Sequence, residues 1–129
     1  MNLLLDTHVL LWALTDDKRL KPAARIAIED PSAIVYVSAA SAWEIAIKAG
    51  LGRIRLSGNP AKWLPVELAR ADFTELPVSM EHAFAVERLP RHHGDPFDRL
   101  LVAQAQIEGL ALATADRKIG RYDVRILRC

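Results

Sequence analysis

The fold is decided by the segment Asn2-Leu3-Leu4-Leu5-Asp6-Thr7 near the start of the chain. Three consecutive leucines leave no polar face, which is typical of a strand covered on both sides in a parallel sheet between helices. The run ends at Asp6, so this acid is expected at the carboxyl end of the strand. Ligands bind at that edge in open α/β sheets. The segment therefore predicts a buried first strand and a functional site around Asp6.

Strand and helix patterns alternate along the first part of the chain. A short buried helix is predicted at 9–14, and Pro22 is a first-turn proline that opens a helix at 23–29. Segment 33–37 is rich in β-branched residues, which indicates the second strand. A helix at 42–49 follows, stopped by a glycine. This βαβα order predicts an α/β fold with a mainly parallel sheet.

Prolines and glycines mark the boundaries of the predicted elements in the second half of the chain. Its predicted elements are, in order, a segment 51–58 that fits either a short strand or a loop, a helix 60–71 containing Pro65, an edge strand 73–78, a helix 80–89 capped by Ser79, a helix 97–108 opened by Asp95 and Pro96, a strand 110–114 and a last edge strand 122–127. Pro77 favours the edge position for its strand, because proline cannot donate to a sheet ladder. The pattern continues the alternation of the first half.

The composition is that of an ordinary globular protein. With 129 residues, 51% of them hydrophobic and 26% charged, the chain is expected to form a single domain over residues 1–129. The net charge of +1 excludes a nucleic-acid binder that acts through its overall field, so any basic surface must be local. The single cysteine, Cys129, cannot form an internal disulfide. A chain without an internal disulfide suits a reducing compartment, so the expected location is the cytoplasm. No apolar stretch is long enough to span a membrane.

Four acids occupy equivalent positions at the predicted sheet edge. Asp6 and Asp116 each follow a buried strand, whereas Glu44 and Asp98 each lie in the first turn of a predicted helix. Strand ends and helix starts meet at one edge of a parallel sheet, so the four carboxylates are expected to converge. Two carboxylates about 4 Å apart repel by roughly 4 kcal/mol at an effective dielectric constant of about 20. Such a cluster therefore requires raised pKa values or a bound cation.

Oxygen ligands determine which cation and which chemistry fit such a cluster. Carboxylates favour Mg²⁺ or Mn²⁺ over zinc. Such an ion keeps several waters, and one of them can be activated to attack a phosphodiester while the ion stabilises charge on the phosphate. The hydroxyls of Thr7, Ser38 and Thr114 are placed to orient ligands or water by hydrogen bonds.

Three cations flank the proposed site, namely Lys48, Arg99 and Arg117. Each of them fits either a phosphate contact or an ordinary solvated position. His92 and His93 lie in a polar, glycine-containing loop and are expected in solvent rather than on a metal.

Each acid also has an ordinary structural explanation. Ser41 and Glu44 fit a capping box, and Asp95 fits a helix cap followed by a first-turn proline. Asp116 taken alone fits a turn. Asp6 is the exception, because no capping role for it is obvious from the sequence. The hypothesis of a shared site therefore depends on the whole set.

Four short segments occur in a characteristic order: Leu5-Asp6-Thr7-His8, Ser41-Ala42-Trp43-Glu44-Ile45, Asp95-Pro96-Phe97-Asp98-Arg99-Leu100-Leu101 and Thr114-Ala115-Asp116. Together they resemble the motifs of PIN-domain proteins, and most closely those of the VapC-type toxins of bacterial and archaeal toxin–antitoxin pairs. The resemblance covers almost the whole chain, and its third segment is the most distinctive.

The resemblance implies a PIN-like, three-layer α/β/α sandwich and a Mg²⁺- or Mn²⁺-dependent endoribonuclease that hydrolyses RNA. It implies an acidic site of Asp6, Glu44, Asp98 and Asp116, with Asp95 carried over less securely. Asp6, Asp98 and Asp116 would bind the metal, and Glu44 would be a ligand or would orient the attacking water. Further implications are a homodimer and a cognate VapB-type antitoxin, which commonly places a basic side chain in the acidic pocket.

Two other functions fit the same residues. In a phosphotransferase with an aspartyl-phosphate intermediate, Asp6 would be the nucleophile, but such enzymes carry a second acid two residues on, where this chain has His8. In a binding module without activity, the acids would only dock a basic partner.

Overall fold

The leucine run forms the central strand of a five-stranded, fully parallel sheet. The computed structural model describes residues 1–129, and its strands are β1 (Leu3–Leu5), β2 (Val35–Ser38), β3 (Thr74–Leu76), β4 (Ala111–Thr114) and β5 (Ile126–Arg128). The strands lie side by side in the order β3-β2-β1-β4-β5, and every neighbouring pair is parallel. The predicted parallel sheet is therefore confirmed, and segments 73–78 and 122–127 contribute its two edge strands.

Six helices connect the strands. They are α1 (Thr7–Leu14), α2 (Pro22–Glu29), α3 (Ala39–Gly50), α4 (Pro60–Ala71), α5 (Met80–Ala85) and α6 (Pro96–Glu108), with single 3₁₀ turns at Val86–Arg88 and Ile119–Arg121. None of these helices has both the length and the apolar content needed to cross a bilayer.

The alternation of side chains along β1 divides the core into two layers. Leu3 and Leu5 point into one cluster, which contains the buried residues of α1, α2, α3 and α4. Leu4 points to the opposite face, where it packs with residues of α5 and α6. This is the period of two expected for a strand buried on both faces. Each fully buried leucine contributes about 1.5–3 kcal/mol, so the triplet stabilises both layers of the sandwich.

The strand order places a switch point between β1 and β4. The chain builds the sheet outward from β1 through β2 to β3, and then returns to the other side of β1 with β4 and β5. The carboxyl ends of β1 and β4 therefore border a crevice of the kind in which open α/β sheets bind ligands. Asp6 follows β1 directly, and Asp116 lies two residues beyond the end of β4.

The largest difference from the sequence prediction concerns the start of α3. The helix begins at Ala39 rather than after Ser41, because the hydroxyl of Ser38 accepts a hydrogen bond from the backbone N–H of Ala40 and caps the helix. The predicted capping box of Ser41 and Glu44 is therefore wrong. Glu44 lies in the second turn of α3, where it is free of capping duty.

Other boundaries shift for local reasons. Segment 51–58 is a loop, since Gly52 and Gly58 have φ values of 72° and 103° that break a strand. Helix α4 continues through Pro65. The predicted helix 80–89 is divided into α5 and the 3₁₀ turn that follows it.

Candidate functional site

The closest group of potential ligand atoms at this edge comprises His93, Asp98 and Asp116. One ligand atom from each of these side chains lies within 4.8 Å of the other two. His93 Nε2 is 2.7 Å from Asp116 Oδ2, with which it forms a hydrogen bond, and 3.2 Å from Asp98 Oδ2. The expectation that His93 lies in solvent is wrong, since only 11% of its side chain is exposed.

The loop before α6 holds Asp98 in place. Asp95 caps the helix, and its Oδ1 accepts hydrogen bonds from the backbone N–H groups of Phe97 and Asp98 at 2.8 Å and 3.3 Å. The predicted cap with a first-turn proline is therefore confirmed. Because Asp95 serves the helix start, Asp98 is left with its side chain directed into the site.

The carboxylate of Asp98 carries the largest pKa shift that bears on function. Burial is the main cause, and the nearby negative charges of Asp95, Asp6 and Glu44 add to it, so that the pKa of Asp98 rises from 3.8 to about 7. No lysine or arginine lies within ion-pair distance of this carboxylate, and His93 is its one basic neighbour. In the folded chain the Asp98 carboxylate therefore has no lysine or arginine to balance its charge.

Asp6 combines a structural role with a place in the site. Its Oδ1 accepts a hydrogen bond of 2.8 Å from the backbone N–H of Val9, so it is the N-cap of α1, a role that the sequence did not reveal. Only 4% of the residue is exposed. Burial raises the pKa of Asp6, and hydrogen bonds from Thr114 and Val9 partly oppose the rise. The charge of Asp116 acts in the same direction as burial.

Asp116 is held by donors on both oxygens. Its Oδ2 accepts from His93, and its Oδ1 accepts a bond of 2.8 Å from the backbone N–H of Lys118. The hydroxyl of Thr114 in turn accepts from the backbone N–H of Asp116 at 3.0 Å. Burial would raise the pKa of Asp116, but the bonds from His93 and Lys118 hold it below 3.8.

Glu44 is buried but fully partnered. Thr7 donates its hydroxyl to Oε1 at 2.7 Å, and Lys48 lies 2.6 Å from Oε2, one helical turn further on. The Thr7 hydroxyl is also 3.1 Å from Ser41 Oγ. Lys48 is therefore engaged by Glu44, and its phosphate contact stays a prediction. Ser38 caps α3, and its predicted role in orienting ligands or water is a prediction still.

Arg99 is also committed to the protein itself. Its guanidinium donates to the carbonyls of Pro90 and Val86, each at 2.9 Å, and to the hydroxyl of Tyr122 at 3.1 Å. These bonds engage both terminal nitrogens of Arg99, and its phosphate contact stays a prediction. The same Tyr122 hydroxyl accepts from the backbone N–H of His93 at 3.0 Å, so Arg99 supports the loop that carries the histidine.

Arg117 is exposed, in contrast to the other two predicted phosphate contacts. It borders a cavity of about 550 Å³ together with Lys21, Ala115, Arg128 and Cys129. None of the three cations belongs to a salt bridge. Because residue 116 lies between two of the lining residues, this basic cavity adjoins the acidic group.

The single thiol lies against the same region. Cys129 is 4% exposed, and burial together with the negative charge of Asp6 raises its pKa to about 12. Its backbone N–H donates to the carbonyl of Thr114 at 3.0 Å. The thiol is therefore not a metal ligand or nucleophile at neutral pH.

The four predicted acids thus lie close enough for their charges to act on one another, and their chemical roles stay a prediction. His93 is the site residue that sequence reasoning missed. Its position two residues before Asp95 was the available indication, since this spacing lets a side-chain acceptor bond the backbone N–H of residue i+2. The donor set of acids and their shortage of positive charge fit a hard divalent cation.

This combination of fold and site matches one known class of proteins. The family model described as PIN domain matches residues 3–125, and the chain belongs to the PIN-domain family. Ribonuclease VapC22 of Mycobacterium tuberculosis is 37% identical over 118 residues, which make up 92% of this chain and 89% of that protein. The resemblance to VapC-type proteins is therefore confirmed.

Solved structures confirm the α/β/α fold. The structure of VapBC2 from Rickettsia felis bound to a DNA fragment from its promoter matches with a TM-score of 0.74 and 16% identity, over 99% of this chain and 98% of that chain. DNA-bound VapBC from Salmonella typhimurium matches with a TM-score of 0.67 and 16% identity, over the same shares of 99% and 98%.

Proposed function

We propose that this chain is a Mg²⁺- or Mn²⁺-dependent endoribonuclease and the toxin of a VapBC-type toxin–antitoxin pair. The observation that carries the proposal is the shortage of positive charge at Asp98, whose pKa of about 7 reflects burial among other acids. The 37% identity to a protein named Ribonuclease VapC22 supports the same activity.

Three acids are assigned to the cation. Asp6, Asp98 and Asp116 lie at the switch point of the sheet and offer carboxylate oxygens, the ligands that Mg²⁺ and Mn²⁺ prefer. When bound, a divalent cation supplies charge stabilisation for the phosphate and a more acidic water. Asp98 has the most to gain, because a neighbouring positive charge relieves its repulsion from Asp95 and Asp6.

Glu44 is assigned a supporting role rather than that of a principal ligand. Both of its oxygens already accept from protein donors, Thr7 and Lys48. It still adds negative charge near Asp98. In this position Glu44 orients water and ligands at the wall of the pocket, and Lys48 is its ion-pair partner there.

The RNA backbone is assigned to the basic cavity beside the acids. Lys21, Arg117 and Arg128 border this cavity without ion-pair partners. Phosphates next to the scissile bond would neutralise these cations, while the bond itself lies over Asp98 and Asp116. This division of charge supports a polyanionic substrate, although the net charge of the chain is only +1.

Protein partners of the proposed toxin are a VapB-type antitoxin and a second copy of the chain. An apolar stripe runs at helical spacing from α3 to the residue that caps its end. It consists of Trp43, Ile47 and Leu51, which are 63%, 38% and 63% exposed. Phe97 packs on Trp43 with ring centroids 5.2 Å apart. An exposed apolar stripe next to the acids supports a protein-binding face. The matched solved structures are VapBC complexes, which supports a VapB-type antitoxin as the partner.

The proposal is tested by incubating the purified chain with RNA in Mg²⁺, in Mn²⁺ and in excess chelator, and then sequencing the ends of the products. We expect defined cuts with either ion and none in chelator. The same preparation of the Asp98→Asn variant controls for contaminating nuclease. Full cleavage in chelator would contradict the metal requirement, and a chain that binds an antitoxin but cuts no RNA would support the binding module instead.

A further inference from the structure

The tautomer of His93 can be assigned from its hydrogen bonds. Its Nδ1 accepts from the backbone N–H of Asp95 at 3.0 Å. A backbone N–H can only donate, so Nδ1 carries no proton, and the single proton of the neutral ring is on Nε2. Nε2 is the atom 2.7 Å from Asp116 Oδ2, and it therefore donates to that carboxylate.

A bond from Nε2 to a metal ion is incompatible with this arrangement. Coordination needs a lone pair on Nε2, and the ring proton would then move to Nδ1. Nδ1–H would face the N–H of Asp95, and two donors would meet across 3.0 Å. That bond would be lost and a half-buried donor left unpaired, which is unfavourable, in the loop that sets the start of α6.

Further hydrogen bonds hold the backbone of His93 and the carboxylate of Asp116 in place. Its backbone N–H donates to the Tyr122 hydroxyl, which also accepts from Arg99. The other oxygen of Asp116 accepts from Lys118. Asp116 is therefore held between two protein donors, with its carboxylate next to Asp98.

We propose that His93 is a positioning residue, which holds Asp116 towards Asp98 through Nε2–H and is not itself a metal ligand. The site then presents only oxygen atoms to a cation, although the histidine nitrogen lies within 4.8 Å of both carboxylates. This inference rests on the proposed function for the presence of the cation. It assigns the selectivity for Mg²⁺ and Mn²⁺ to the tautomer of one ring.

Two substitutions separate the two hydrogen bonds of the ring. His93→Gln keeps a donor, because the amide nitrogen of glutamine is as many bonds from Cα as Nε2 is. His93→Asn keeps an acceptor at the place of Nδ1 for the N–H of Asp95, but loses the donor. His92→Asn is the matched control, since it changes the neighbouring histidine, whose ring only packs edge-on against Tyr122.

The readouts are Mn²⁺ affinity, followed by electron paramagnetic resonance, and the coupling of ¹⁴N to the bound ion, measured by electron spin echo. We expect no coupling from a coordinated imidazole in the unmodified chain. His93→Asn should weaken Mn²⁺ binding by about 10- to 100-fold, as expected for the loss of a partner that orients a ligand. His93→Gln and His92→Asn should bind close to the unmodified affinity.

The alternatives give different results. Imidazole coupling that disappears in both His93 variants would make His93 a ligand, which overturns the inference but leaves the proposed function intact. Weak binding by His93→Gln with normal binding by His93→Asn would show that only the loop contact matters, which also overturns it. An unmodified chain that takes up no Mn²⁺ would refute the proposed function itself, and the inference with it.

Discussion

The acidic cluster has two halves that neutralise their charge in different ways. On one side Glu44 is 3% exposed and is matched by Lys48 at 2.6 Å and by the hydroxyl of Thr7. On the other side Asp98 has a histidine as its one basic neighbour, and its pKa rises to about 7. Both acids lie in helices at the same edge of the sheet.

The difference indicates which half of the cluster a bound cation would stabilise more. A buried carboxylate with a lysine partner is complete within the protein, whereas a buried carboxylate among other acids is not. The folded chain thus keeps Asp98 in an unfavourable state, which a divalent ion would relieve. This distinction between a satisfied half and an unsatisfied half can be tested by changing one side at a time.

The largest effect is expected from Asp98→Asn. Removing this charge should lower RNA cleavage by at least about 100-fold, because charge stabilisation by a metal is worth several kcal/mol. Glu44→Gln should cause a clearly smaller loss, since Glu44 is already neutralised by Lys48. Initial rates of cleavage at saturating Mn²⁺ provide the measurement, and equal losses in the two variants would remove the distinction between the halves.

Replacing Lys48 should leave the satisfied half, the side of Glu44, without its ion-pair partner. Lys48→Met leaves Glu44 buried with a single hydroxyl donor. The free energy of unfolding should fall by about 3 kcal/mol, the low end for breaking a buried ion pair, because the Lys48 side chain is 30% exposed. Added Mn²⁺ should restore part of this loss. Arg70→Met is the control, since Arg70 is 73% exposed and its ion pair with Glu67, at 3.5 Å, contributes little. Denaturant unfolding measures both, and identical small losses would argue against a buried pair.

The unsatisfied half should make stability depend on pH. The folded pKa of Asp98, about 7, lies above its ordinary value of 3.8. Between these values the folded chain binds more protons than the unfolded chain, so the free energy of unfolding falls as pH rises from about 4 to about 7. In chelator, Asp98→Asn should reduce this fall by about 3–4 kcal/mol, because each of the roughly three pKa units is worth about 1.4 kcal/mol. If the free energy of unfolding fell by the same amount in the variant, the pH dependence would come from a group other than Asp98.

The smallest effect is expected at the edge of the unsatisfied half, in the basic cavity. Arg117→Gln should weaken binding of single-stranded RNA by the Asp98→Asn chain and reduce the slope of log K against log salt by about 0.7, the value for one phosphate contact. Lys62→Gln on α4 removes an equal charge from an exposed position away from the cavity. A slope changed equally by both variants would indicate general attraction only.

Much of the scaffold follows from local sequence patterns. Leu3-Leu4-Leu5 predicts a strand buried on both faces, and that strand is the centre of the sheet. Asp95-Pro96 and Gly109 mark the ends of α6, where the structure places a cap, a first-turn proline and a left-handed glycine. These features are encoded within a few residues, so they can be read from the chain alone.

The details of the site depend on contacts between distant residues. The tautomer of His93 is set locally by Asp95, but its partner Asp116 is 23 residues away. Arg99 lies in the most recognisable motif, yet its role is to fix Tyr122 and two carbonyls. No pattern in the sequence specifies such pairings, because they arise only when α6 packs beside β4.

The single thiol, that of Cys129, can report how often the last strand opens. The group is buried, its pKa is about 12, and the backbone beside it is bonded to the end of β4. Alkylation therefore has to wait until the last strand detaches, and the labelling rate reports how often that margin of the sheet opens. Slower labelling of Cys129 on addition of Mn²⁺ would indicate that the ion binds at Asp6, and the unmodified chain can be used for this measurement.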